Sequence, residues 1–257
     1  MSGPRIVALI PARGGSKRIE RKNVKPLNGH PLLAYTIAAA RQSGIFGDIV
    51  VSSDDDEIIG FVLTQEGINN RSSAPGKPSV MILRRPAEMA ADNSPDIEWV
   101  EHVLVKCGLG MDYDAFAILR PTSPFRTALA IQTAWEDFQK AGPAVDSLRA
   151  VEPVSQHPGK MWLPIHDGTL IPFWTFGLFN PPAHSRATQS LPPVYVQNAS
   201  LEMAWTKTVA EKHSISGERV LPFFMDGYEG FDLNTPEDWL FAEMLIERGL
   251  AVLPEVS

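Results

Sequence analysis

A chain of 257 residues, 44% of them hydrophobic, can bury roughly three quarters of the surface its unfolded form exposes, so one main core is expected. Its formal net charge of −7 argues against a nucleic-acid binder, which presents a basic surface, and the absence of any apolar run of about 18 residues argues against a membrane partner. A single cysteine excludes an intrachain disulfide and a zinc site built on cysteines.

Arg5–Ile10 is a β-branched, apolar run that predicts a strand. The stretch Ile6–Ala12 is too short for the apolar region of a signal peptide and no cleavage site follows it, which points to a soluble, cytoplasmic protein. Pro31–Ser43 then carries Leu33, Ile37 and Ala40 at helical spacing. The alternation repeats three times: Asp48–Ser52 with Asp54–Gln65, Val80–Leu83 with Asp96–Cys107, and Asp114–Leu119 with Thr127–Lys140. Strands separated by helices of ten or more residues predict an α/β fold with a mostly parallel sheet and helices on both faces, its ligand beyond the C-terminal ends of the strands.

Between these elements, Ser53-Asp54-Asp55-Asp56 reads as a helix cap rather than a metal box. Cys107, in step with Ile97, Val100 and Leu104, is expected in the core. Gly67–Ser79 is a polar connection long enough to be a lid. From Val151 to Ser200 the chain places eight of its 22 prolines among Trp162, Phe173, Trp174, Phe176 and Phe179. Proline lacks the N–H that a central strand donates, so this segment predicts an inserted arm (151–200) in a core made of 1–150 and 201–257. Thr235-Pro236-Glu237-Asp238 is a helix start, with Trp239, Ala242, Leu245 and Ile246 as its buried stripe.

The chemistry is concentrated after the first strand. Pro11-Ala12-Arg13-Gly14-Gly15-Ser16-Lys17 runs on to Lys25 with Arg13, Lys17, Arg18, Arg21, Lys22 and Lys25 against one acid, Glu20. Glycines let backbone N–H groups close on phosphate oxygens, and each Arg or Lys adds a charge-assisted bond of about 1.5–3 kcal/mol, so the loop suits a triphosphate. It is neither a Walker A loop nor a Gly-x-Gly-x-x-Gly fingerprint. Near the C-terminus, Asp232 and Asn234 alternate on an extended segment and point the same way, as a shared Mg²⁺ requires.

Ile10-Pro11-Ala12-Arg13-Gly14-Gly15-Ser16-Lys17 with Lys22-Asn23 resembles the signature of the acylneuraminate cytidylyltransferases, the CMP-sialic acid synthetases and their relatives. The resemblance continues in order through Arg85-Pro86-Ala87-Glu88 with Asp92, Arg120-Pro121-Thr122-Ser123-Pro124-Phe125-Arg126, Gln156-His157-Pro158 with Lys160, Gln197-Asn198-Ala199 and Asp232-Leu233-Asn234. It implies a Rossmann-like nucleotidyltransferase fold, a CTP site on the first loop and the Arg85 segment, an acidic-sugar site on 120–126 and 156–198, and a homodimer formed through the arm. Carried over, Arg13 and Lys17 grip the β- and γ-phosphates and Lys22 the α-phosphate. Ala12, Gly14, Gly15 and Ser16 complete the cradle, Asn23 meets the ribose and Arg85 the base. Arg120, Thr122, Ser123, Arg126, Gln156, Lys160, Gln197 and Asn198 address the sugar, and Asp232 with Asn234 holds Mg²⁺.

The implied reaction joins CMP to the anomeric hydroxyl of a nonulosonic sugar acid with release of pyrophosphate. A different acceptor, such as Kdo or a sugar phosphate, and a non-catalytic nucleotide-binding role are the alternatives. Three departures from the family pattern point to a relative with another substrate: Asn234 replaces the second aspartate of Asp-x-Asp, Arg120 stands where glutamine is common, and the 67–79 connection is long.

Overall fold

The computed structural model describes residues 3–66, 78–174 and 180–256. Most of the expected lid (67–77), together with Phe176 and Phe179 of the arm, lies outside the described residues. Strand β1 (Ile6–Pro11) is apolar on both faces. Ile6, Ala8 and Ile10 enter one core and Val7 and Leu9 another, as in a strand covered on both sides. A two-residue ladder, β2 (Pro26–Leu27) with β3 (His30–Pro31), closes over Asn28-Gly29, both with positive φ (46° and 89°), the combination a type I′ turn needs. It leads into α1 (Leu32–Ser43), which stops at the left-handed Gly44.

The chain continues through β4 (Phe46–Ser53), α2 (Asp56–Glu66), β5 (Ser79–Arg84), α3 (Asp96–Glu101), β6 (Ala115–Ile118) and α4 (Ala128–Ala141). Then follow β7 (Ser147–Pro153), β8 (Trp162–Pro164), β9 (Leu170–Pro172), β10 (Tyr195–Trp205), α5 (Thr206–Lys212), β11 (Val220–Phe224) and α6 (Pro236–Glu247). Seven strands form one sheet in the order β11-β7-β10-β6-β1-β4-β5. β1 is parallel to β4 and β6, β4 is parallel to β5, and β10 runs antiparallel to β6. The α/β architecture expected from the alternation is thus present. One core packs α1 and α4 on the sheet through Leu33, Ile37, Ile131 and Phe138; the other packs Trp99, Val100 and Val209 on the opposite face. A third cluster joins Leu27, Leu32, Tyr35, Phe125, Leu233 and Trp239. No helix among the described residues is long and apolar enough to cross a membrane.

The described residues of 1–150 and 198–257 form one compact unit, and those of 151–197 a second. Within the second, β8 and β9 pair as an antiparallel hairpin. His157 caps a short turn by accepting from the Gly159 N–H at 2.9 Å and stacks on Trp174 with ring centroids 5.1 Å apart.

Two expectations need correction. Residues 195–200 do enter a central strand, β10, because the last of the eight prolines is Pro193 and the strand begins two residues later. Cys107 is exposed, not buried. After Glu101 the helix widens into a π-helical turn (His102–Lys106), and the extra residue in that turn rotates Cys107 off the stripe set by Val100 and Leu104.

Candidate active site

The C-terminal end of β1 turns at Ala12, whose N–H donates to the Ser52 carbonyl at 3.0 Å, and opens into the cationic loop. Two neighbours fix the loop's path: the Gly14 N–H donates to Asp54 Oδ1 at 3.1 Å, and the buried Asn23 amide donates to the Arg13 carbonyl at 2.9 Å. Gly14 is required by close approach, since a Cβ there would sit 2.8 Å from the Cβ of Asp55. Asp55 cannot yield easily, because its Oδ1 caps α2 by accepting from the N–H groups of Glu57 (2.9 Å) and Ile58 (3.0 Å). Asp54 and Asp55 therefore hold backbone while Asp56 pairs with Arg84, and no cluster of three metal-ligating acids or imidazoles exists among the described residues.

Beyond this loop lies a cleft of about 510 Å³. Arg13, Lys17, Arg18, Lys22, Arg85 and Arg120 line it against Asp92, Asp96 and Asp232, an excess of positive charge on an acidic protein. Asp92 bridges Arg13 (2.9 Å) and Lys17, and the Lys17 hydrogen bond is the main reason its carboxyl lies below the usual range. Ser16, Asn23 and Thr122 also line the cleft, whereas Ala12 is buried beneath it and Gly15 is exposed at the loop surface. Arg85, 5% exposed, donates from Nε to Ser52 Oγ (3.1 Å) and from Nη2 to the Ser52 carbonyl (3.2 Å), with its guanidinium 4.8 Å from the Trp99 ring centroid. Burial pushes it down to about 10, which leaves it charged at neutral pH.

The opposite wall comes from residues 232–234. Leu233 is fully buried, so Asp232 and Asn234 turn to the cleft together. The segment is pinned three ways. The Leu233 N–H donates to the Thr122 carbonyl (2.8 Å), Lys22 Nζ donates to the Leu233 carbonyl (2.8 Å), and the Asn234 N–H donates to Asp238 Oδ2 (2.8 Å), part of the Thr235–Asp238 capping box of α6. Asp232 Oδ2 accepts from the Asn234 amide at 2.5 Å, while its Oδ1 is buried with no hydrogen-bond partner. Burial lowers the Lys22 ammonium's pKa, against the opposing pull of Asp232.

The run 120–126 divides. Thr122 reaches the cleft, and so does Arg120, but the Arg120 fork is already held by Asp96 (2.8 Å) and Glu202 (2.7 Å). Burial alone would lower its pKa; the two carboxylates outweigh that and raise it. Ser123 and Arg126 are 1% exposed and do not line the cleft, which corrects their expected role at the sugar. Arg126 donates to the carbonyls of Arg120 (3.2 Å) and Ser200 and to Thr36 Oγ1 (3.2 Å); without a carboxylate beside it, burial pushes it down to about 9. Its work is to fasten the loop to β10 and α1. Asn198 Oδ1 accepts from the Ser200 N–H (3.2 Å). In the second unit Gln156 and Gln197 are exposed, and Lys160 donates to the carbonyls of His184 (2.9 Å) and Arg186, so its ammonium is engaged within that unit. Sequence reasoning missed Asp96 and Trp99. Their spacing of three after Pro95 signals a helix start, and nothing local shows that its first turn faces a cleft.

A Gly-containing loop rich in cations at the end of a central parallel strand, facing a carboxylate with a buried unpaired oxygen, defines a nucleotide-handling α/β enzyme. Residues 7–75 match the model of the family described as Cytidylyltransferase. The chain is 34% identical over 245 residues to the CMP-N,N'-diacetyllegionaminic acid synthase of Legionella pneumophila, covering 95% of this chain and 97% of that protein. It is 29% identical over 240 residues to the N-acylneuraminate cytidylyltransferase of Escherichia coli, covering 93% of this chain and 51% of that longer protein. The solved structure of a CMP:2-keto-3-deoxy-manno-octonic acid synthetase complexed with CTP shares the fold, with a TM-score of 0.64 at 14% identity over 95% of this chain and 99% of that one. The chain belongs to the acylneuraminate-type cytidylyltransferase family and is a nucleotidyltransferase.

The packing of Gly14 on Asp55 gives a direct test. Gly14→Ala is expected to lower stability by about 1–3 kcal/mol, the usual range for overpacking, because a fixed capping residue must move. Denaturant unfolding measures it; an unchanged midpoint would show that the loop has slack at this position.

Proposed function

We propose that this enzyme transfers CMP from CTP to the anomeric hydroxyl of a nonulosonic, sialic-acid-like sugar acid. The hydroxyl oxygen bonds to the α-phosphorus as the bond to pyrophosphate breaks, and the hydroxyl proton passes to solvent. The observation that carries this reading is the buried, partnerless Oδ1 of Asp232, on the wall opposite a loop of excess positive charge. The two named relatives support the acceptor class, since both names specify an N-acylated acid.

In this reading Arg13 and Lys17 exchange Asp92 for the β- and γ-phosphates. Lys22 meets charge building at the α-phosphate. Asn23, its amide committed to the Arg13 carbonyl, offers its carbonyl oxygen to the ribose, and Arg85 faces the base from the cleft wall. Thr122 is the group of its loop left to address the acceptor. Asp232 and Asn234 supply oxygen donors suited to a hard cation, and these two residues would hold Mg²⁺. When bound it neutralises phosphate charge. We also propose a homodimer. The β8–β9 hairpin leaves Trp162, Leu163, Leu170, Ile171 and Phe173 between 42% and 57% exposed, an apolar surface that a second copy would cover.

Pyrophosphate release from CTP with a panel of acidic sugars, Kdo and sugar phosphates among them, tests the reading; release with none of the sugar acids would refute it. Lys22→Ala is expected to lower kcat by about 10²–10³ with a much smaller change in CTP affinity, as for a donor aimed at developing charge. Equal kcat in both proteins would remove Lys22 from the reaction. Asn234→Asp is expected to lower the Mg²⁺ concentration at half-maximal rate, because an anionic oxygen binds the cation more tightly than an amide carbonyl. An unmoved midpoint would exclude residue 234 as a ligand. Light scattering on the eluting protein is expected to give twice the chain mass of 28.2 kDa; the single mass would refute the dimer.

A further inference from the structure

One carboxylate outside the proposed catalytic set stands between the two ends of the cleft. Asp96, in the first turn of α3, accepts from Trp99 Nε1 at 2.8 Å through Oδ1 and from Arg120 Nη2 at 2.8 Å through Oδ2; Arg120 Nη1 reaches Oδ1 at 3.4 Å. Trp99 is 1% exposed and carries the Arg85 guanidinium over its ring. On the other side, Arg120 Nη2 continues to Glu202 Oε1 at 2.7 Å, and Glu202 on β10 also accepts from Arg149 on β7. The chain of contacts Arg85, Trp99, Asp96, Arg120, Glu202, Arg149 is therefore unbroken.

Its members have different duties. Arg85, Arg120, Pro121 and Thr122 all line the cleft, and in the functional reading proposed above Arg85 addresses the base while the Thr122 loop addresses the acceptor. Arg120 is only 21% exposed along its side chain and its fork is committed to two carboxylates, so it is poorly placed to read the acceptor's own carboxylate. A bidentate guanidinium–carboxylate pair fixes orientation as well as charge. Asparagine at 96 would offer one acceptor oxygen where the carboxylate offers two, so the Trp99 indole and the Arg120 fork could no longer both be held from this side chain.

Resting on the cytidylyltransferase reading above, we propose that Asp96 is a positioning residue that couples the nucleotide end of the cleft to its acceptor end, by fixing Trp99 and the Arg120 fork to one carboxylate. Coupling of this kind appears as non-additivity. A role confined to stability would be non-additive in melting but would leave the CTP Kd ratios additive.

Calorimetric titration of CTP with Mg²⁺ into the full chain tests this in four proteins: wild type, Arg120→Ala, Asp96→Asn and the double variant, each checked by thermal melting. Arg120 has no proposed contact with CTP, yet its loss is expected to weaken CTP binding about fivefold or more, the low end of coupling between sites. In the Asp96→Asn background the same substitution is expected to change the Kd by less than about twofold, the sign of a broken coupling. Equal factors in the two backgrounds, or no effect in the first, would overturn the proposal, as would lowered melting temperatures with unchanged Kd ratios. If Arg120→Ala does not fold, Glu202→Gln replaces it, cutting the fork's other support with the same two outcomes expected. Should the wild type not bind CTP at all, the functional reading falls and the coupling with it; CTP binding with additive effects would sink the coupling alone.

Discussion

The backbone of Leu233 is the point on which the site depends. Its side chain is fully buried, its N–H donates to the Thr122 carbonyl and its carbonyl accepts from Lys22, so segments from the beginning, middle and end of the sequence meet at one residue. Burial of Leu233 sends Asp232 and Asn234 to the cleft together, and the Thr235–Asp238 capping box holds the next peptide through Asp238 Oδ2. Local helix-capping chemistry thereby sets the position of the residues proposed to hold Mg²⁺.

The rest of the cleft is an electrostatic arrangement awaiting a polyanion. Asp92 and its partners Arg13 and Lys17 have side chains 38–82% exposed, and ion pairs this open are screened by water and contribute little. Charge-assisted bonds to phosphate oxygens are worth about 1.5–3 kcal/mol each, so exchange of Asp92 for a triphosphate is favourable. Arg85, Arg120 and Arg126 differ in kind: all three are engaged by the protein itself and act as fixed parts of the wall or of its support.

Much of this was legible in the sequence where the signal is local. The four strand–helix pairs follow from apolar periodicity, the Thr235 cap from its residue types, and the cationic loop from charge density between Arg13 and Lys25. What escaped depends on contacts distant in the chain. β10 and β11 carry no strong alternation of their own, and their place in the sheet is set by pairing with strands distant in the chain. Cys107 was misplaced by one extra residue in a helical turn. Arg126 reads as a site arginine beside Pro-Thr-Ser-Pro, and its bonds to the Ser200 carbonyl and Thr36, 74 and 90 residues away, show that it fastens the loop. Gly14 reads as a phosphate-loop glycine, and its close approach to Asp55 across the β4–α2 turn is a further reason for it.

In the proposed reaction the cationic loop and the Asp232 wall together receive a triphosphate. A crystal structure of the chain with CTP and Mg²⁺ tests it most directly. The triphosphate is expected between Arg13, Lys17 and Lys22, with Asp92 separated from both of its present partners and Asp232 Oδ1 directed at the metal. A triphosphate bound elsewhere, or one that leaves Asp92 bridging Arg13 and Lys17, would contradict it.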